Sequence, residues 1–172
     1  MEKNEITAKG LATLIASELH QDWRKTRLNA DGTYEPRWKK VLDEEFAKSL
    51  DVDNLPANFR VFEGTLEIDI ANSNFEQLSP DKQEENFEAA KVCVDILFDK
   101  ENYQTKEEIG EKIHAEWLSR NEWGREDEVL SKPFIELPVE EQNKDLDQYK
   151  IALMVFEKLK QKQKAKEEEL SM

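Results

Sequence analysis

Two stretches of this chain say nearly the same thing, and a duplicated segment restricts a fold more tightly than composition does. Phe75-Glu76-Gln77-Leu78 matches Phe134-Ile135-Glu136-Leu137. At the same shift Gln83 falls on Gln142, Asn86 on Asp145, Phe87 on Leu146, and Val92, Val94 and Ile96 on Ile151, Leu153 and Val155. Upstream, Leu19-His20-Gln21-Asp22-Trp23 matches Ile113-His114-Ala115-Glu116-Trp117 at a longer shift, so the first copy carries an insertion over roughly residues 30–72. Two copies are too few for a solenoid and predict a pseudo-twofold pair sharing one core. The organisation expected is a first repeat over 1–103 with its inserted loop and hairpin, a second over 104–160, and a charged tail over 161–172, the repeats packed as one unit.

A chain of 172 residues is long enough to bury one core, or two small units packed together. Its 39 acidic residues against 25 basic ones leave a formal charge of −14. That balance speaks against binding a nucleic acid polymer, because duplex affinity comes from basic groups that release phosphate counterions. It leaves room for one small anionic ligand in a local basic pocket. No apolar run approaches the ~20 residues of a membrane span, and Met1-Glu2-Lys3-Asn4-Glu5 lacks the apolar segment of a signal peptide, so a cytoplasmic location is expected. A single cysteine, Cys93, has no partner for an intramolecular disulfide.

Periodicity then places the elements. Leu11, Ile15, Leu19 and Trp23, with Leu14 beside them, predict a helix begun by Thr7 as N-cap, and Asn29-Ala30-Asp31-Gly32 predicts a turn. Tyr34, Trp38, Val41, Leu42 and Phe46 are spaced for a short helix inside the insertion. Phe59 and Val61, then Leu66, Ile68 and Ile70, alternate around Glu63-Gly64 and predict a β-hairpin. Ser79-Pro80 opens a helix whose stripe is Phe87, Ala90, Val94, Leu97 and Phe98, ending at Asn102-Tyr103. Thr105-x-x-Glu108 is a capping box for a third helix through Ile109, Ile113 and Trp117. A fourth runs from about Pro138 through Leu159. Beyond it the lysine- and glutamate-rich tail has helical propensity but no apolar stripe, which predicts a fraying extension.

Signatures of catalysis are sparse. Glycines 10, 32, 64, 110 and 124 build no phosphate-cradling loop, Cys93 lies mid-helix with no histidine near in sequence, and two histidines with one cysteine make no zinc-ligand spacing. No catalytic residue, metal or cofactor is therefore assigned, and a non-enzymatic role is expected, with hydrolysis of a nucleotide-type ligand by the carboxylates as the lesser alternative. One constellation stands out: His20-x-Asp22-Trp23 and His114-x-Glu116-Trp117 share a pattern that puts histidine and tryptophan on one helical face. Arg24, Lys25 and Arg27 follow in the first copy, and Arg120, Asn121, Trp123 and Arg125 in the second. Aromatic planes beside guanidinium groups suit a flat heterocycle carrying phosphate. Trp23, Arg27, Trp117, Arg120, Asn121 and Trp123 are the candidate ligand-binding residues, with plain core packing as the competing reading for Trp23 and Trp117.

The second copy resembles the ryanodine receptor repeat, or RyR domain. The resemblance is carried by His114-Ala115-Glu116-Trp117-Leu118-Ser119-Arg120-Asn121-Glu122-Trp123, Pro133-Phe134-Ile135-Glu136-Leu137-Pro138 and the Gln142 to Asp145 segment, and more loosely by the first copy over 19–97. That family runs from a His-x-x-Trp helix through a tryptophan-bearing loop to Pro-Tyr/Phe-x-x-Leu and a further helix. The resemblance implies paired helix-loop-helix repeats in a mainly α unit with a small β-hairpin, an α+β fold. In bacterial and phage proteins it implies a non-catalytic module for nucleotide-derived ligands. The function expected is binding or sequestering an adenine-type signalling ligand in a cleft between the repeats. The alternative is a protein-interaction or scaffold module without a small-molecule site. A nucleotide-type small molecule is thus the expected partner, with self-association open, and nucleic acid polymers and membranes are not expected.

Overall fold

The computed structural model describes residues 6–171. Among them are helices α1 (Ala8–Lys25), α2 (Glu44–Ser49), α3 (Pro80–Leu97), α4 (Lys106–Arg120), α5 (Glu122–Arg125) and α6 (Val139–Leu170), and strands β1 (Trp38–Lys40), β2 (Phe59–Phe62) and β3 (Thr65–Asp69). The fold is mainly α with a small antiparallel sheet. None of the described helices is long and apolar enough to cross a membrane. Two compact units divide the chain, residues 16–87 and the remainder, with boundaries inside α1 and α3.

The unit spanning 16–87 is built on the sheet, ordered β1-β3-β2. Glu63 (φ 49°) and Gly64 (φ 78°) place two left-handed residues in succession, the geometry that matches the right-handed twist of a tight hairpin, and Phe62 pairs with Thr65 across it. The helix expected over Tyr34 to Phe46 does not form. Trp38–Lys40 instead pairs with Asp69–Glu67 and covers the open edge of β3, while Asp43 accepts from the Phe46 amide and starts α2. Phe46 packs against Phe59, ring centroids 5.8 Å apart, which gives the sheet a helical cover. Asp69, buried at its end, accepts from the backbone N–H groups of Arg37 (2.9 Å), Ala71 (3.2 Å) and Asn72 (3.3 Å) and from the Asn72 side chain (2.6 Å).

In the other unit, α4 packs on α6 and on the 3₁₀ turn Phe134–Glu136. Thr105 and Glu108 form the capping box, Thr105 Oγ1 accepting from the Glu108 amide at 3.1 Å and Glu108 Oε1 from the Thr105 amide at 3.0 Å. Val92, Cys93, Val94, Ile96 and Leu97 of α3 are buried, whereas Phe98 is half exposed, so the stripe is wider than a four-residue spacing and excludes its expected last member. The helix stops at Leu97, short of Asn102, because the chain turns at 99–102, where the Asn102 side chain donates to the Asp99 carboxylate at 2.9 Å. At the far end α6 continues through Leu170 rather than stopping near Leu159. Leu159, Lys162, Ala165 and Lys166 line an open groove of about 610 Å³ with Ile6, Gly10 and Leu14, while nearly all of the tail beyond residue 160 stays exposed.

The duplicated segments make the same local hydrogen bonds. Gln83 Nε2 donates to the carbonyls of Phe75 (3.2 Å), Glu76 (3.4 Å) and Leu78 (3.2 Å). Gln142 Nε2 donates to those of Phe134 (3.1 Å), Ile135 (3.3 Å) and Leu137 (3.1 Å). A 3₁₀ turn, Phe75–Gln77 or Phe134–Glu136, precedes the long helix in each copy, and the glutamine side chain satisfies its outward carbonyls.

Candidate functional site

Each histidine of the paired motif is nearly sealed from solvent and ties its helix to the segment before the 3₁₀ turn. His20 Nε2 donates to the Ser73 carbonyl at 2.8 Å, and His114 Nε2 to the Lys132 carbonyl at 2.8 Å. Because a carbonyl only accepts, Nε2 carries the proton in both, and Nδ1 of a neutral ring is left as an acceptor. Burial holds the His20 imidazole below its usual range. The tryptophan one turn on stacks beside its histidine, centroids 5.9 Å apart for Trp23 and 6.1 Å for Trp117. The His-x-x-Trp pattern is therefore in part structural.

Several of the polar residues that follow the motifs are tied to backbone carbonyls. Arg24 Nε donates to the Ala71 carbonyl at 2.9 Å and its guanidinium lies over Tyr34, while Arg27 donates to the Pro36 carbonyl at 2.9 Å. Asn121 Nδ2 donates to the Trp117 carbonyl at 2.8 Å, and Arg125 to those of Leu118 (2.9 Å) and Ser119 (3.2 Å), the last acceptors of α4. Arg120 is exposed. Of the six candidate residues, the structure brings Trp117 and Trp123 together in one pocket; Arg120 and Asn121 are not in its lining, and Trp23 and Arg27 belong to the 16–87 unit.

That pocket, of about 240 Å³, is lined by His114, Trp117, Trp123, Leu130, Leu137, Glu141, Lys144, Asp145 and Gln148. The indoles of Trp117 and Trp123 stand at 86° with centroids 5.3 Å apart. Gly124 permits this, since a side chain there would strike the Trp117 ring. Trp123 is 60% exposed, a poor position for a ring whose purpose is core packing. Asp145, only 9% exposed, has His114 Nδ1 at 3.8 Å, beyond hydrogen-bond reach. Burial pushes its carboxyl up to about 6, with Glu141 and Glu111 adding to the rise and His114 opposing it. Glu141 pairs with the exposed Lys144 at 3.0 Å. Sequence reasoning passed over Glu141 and Asp145 because carboxylates are everywhere in this chain. The signal that marks Asp145 is the duplication, which sets a neutral Asn86 at the equivalent position.

No family model matches the chain, and no curated protein or solved structure does either. The resemblance to the ryanodine receptor repeat rests on the residues that carry it.

Proposed function

We propose that the chain is a non-enzymatic small-molecule-binding module whose ligand sits in the pocket of the second repeat. The observation that carries this reading is the perpendicular Trp117–Trp123 pair, its close packing permitted by Gly124, beside the nearly buried Asp145 carboxylate. Aromatic walls with a few convergent polar groups are the common make-up of ligand sites, and this cavity falls below the size of most of them, so it suits one ring or one head group rather than a whole dinucleotide. In the nucleotide-derived, adenine-type form of the reading, a base would lie on the indoles and give its amino protons to Glu141 or Asp145, with the phosphates in solvent. A catalytic role for Cys93 is disfavoured by its burial, which pushes the thiol up to about 12. Native mass spectrometry of protein taken from cells, followed by tryptophan fluorescence titration against a small-molecule panel, tests the proposal. A retained or titratable ligand that perturbs Trp123 supports it. Folded protein that retains nothing and responds to nothing favours the interaction-module alternative.

A further inference from the structure

The two repeats differ where their motifs are otherwise alike. In the first, Arg27 places its guanidinium 5.9 Å from the Trp23 ring centre, so the chain supplies its own cation to that indole. In the second, no guanidinium or ammonium of the described residues stands over Trp117 or Trp123. The first repeat has Asn86 at the position of Asp145, with its side-chain amide given to the Lys82 carbonyl at 3.3 Å. In the second, the Asp145 carboxylate stands 3.8 Å from Nδ1 of His114, beyond hydrogen-bond reach. Glu141 adds a second carboxylate to the wall, and Lys144, which lines the pocket together with the imidazole of His114, is 70% exposed and turned to that glutamate.

We infer that the ligand group held between Trp117, Trp123, Glu141 and Asp145 is a cationic nitrogen of the alkylammonium class. The inference rests on the reading of this pocket as the ligand site and adds the sign of the charge. The two indoles meet edge to face, and an indole face attracts a cation without having to match a hydrogen-bond direction. The carboxylates neutralise it, and the small volume fits a head group. A phosphate would meet two carboxylates and no arginine in the lining.

The test uses the full chain, with the indole N–H resonances of its four tryptophans as the readout. Choline and tetramethylammonium are titrated against the neutral tert-butyl isostere of choline, which keeps shape and removes charge, and against adenine nucleotides. The expected result is saturable movement of the Trp117 and Trp123 signals by the cations, at least about tenfold tighter than the isostere. Asp145→Asn is expected to weaken this by about tenfold while its melting temperature at neutral pH does not fall, which separates lost binding from lost structure. Equal binding of the isostere, or saturation by nucleotides without saturation by the cations, overturns the charge inference and leaves the pocket reading standing. No saturation by any of these compounds, with the protein folded and free of copurified ligand, overturns both.

Discussion

Gly110 lies directly beneath the ring of Phe134, so close that a Cβ added at 110 would fall within contact of three ring carbons. Helical glycine normally costs stability, and its replacement by alanine usually gains up to about 1 kcal/mol. Here the sign reverses, because Phe134 is buried on the 3₁₀ turn whose carbonyls Gln142 holds and cannot swing away without breaking those bonds. Gly110→Ala is expected to destabilise the protein by about 1–3 kcal/mol, measured by urea unfolding. A gain in stability would show that Phe134 has room to move.

Asp69 gives a second stability test, in the sheet unit. Its carboxylate receives three backbone N–H groups and one side-chain amide, all within 3.3 Å. Asp69→Ala strands those donors and is expected to cost roughly 3 kcal/mol or more. Amide exchange should then speed up first at Arg37 and Ala71. Uniform exchange throughout the chain would mean that the carboxylate organises more than its own corner.

Asp145 makes stability depend on pH in a direction that can be stated. Its carboxyl is raised in the folded state to about 6, from an ordinary 3.8, so the folded form binds the proton more tightly than the unfolded one. The resulting stabilisation is fully present below the unfolded value and is lost as pH rises through about 6. His20, held low by burial, acts in the opposite sense, its contribution being lost as pH falls. The difference between wild type and Asp145→Asn isolates the first effect. That difference should favour the variant by up to about 3 kcal/mol at pH 8 and shrink as pH drops from 6 to 4. A difference that does not change with pH would mean that Asp145 titrates as an ordinary surface carboxylate.

How far the sequence discloses the molecule varies with the range of the interaction involved. The hairpin at Glu63-Gly64, the Thr105 capping box and the start of α3 at Pro80 are written within a few residues, and each is where local chemistry puts it. Strand β1 is not: three residues have no period, and Trp38–Lys40 is a strand only because β3, nearly thirty residues on, offers an edge. The continuation of α6 to Leu170 is instead a matter of local propensity, since its residues beyond 160 are nearly all exposed. In the candidate site, Trp117 and Trp123 could be picked out by type and spacing. Asp145 is marked in the sequence only by its departure from Asn86, and among 39 acidic residues it takes the fold to show that it is nearly buried.

The pocket itself is best tested from two sides of the same aromatic corner. Trp123 is 60% exposed, so Trp123→Ala should change stability by less than about 1 kcal/mol while removing one wall. Ligand binding should then weaken by about 1–2 kcal/mol, the worth of one desolvated cation–π contact. Gly124→Ala approaches from behind: it leaves every lining residue in place but drives a methyl group into the Trp117 ring, which must tilt out of its right-angle packing with Trp123. That variant should lose about 1–3 kcal/mol of stability and bind as poorly as Trp123→Ala, although no group touching the ligand has changed. Calorimetric titration with parallel thermal melts separates the two effects. If Gly124→Ala binds like wild type while folded, the angle between the indoles is incidental. If Trp123→Ala binds like wild type, the exposed ring belongs to some other contact.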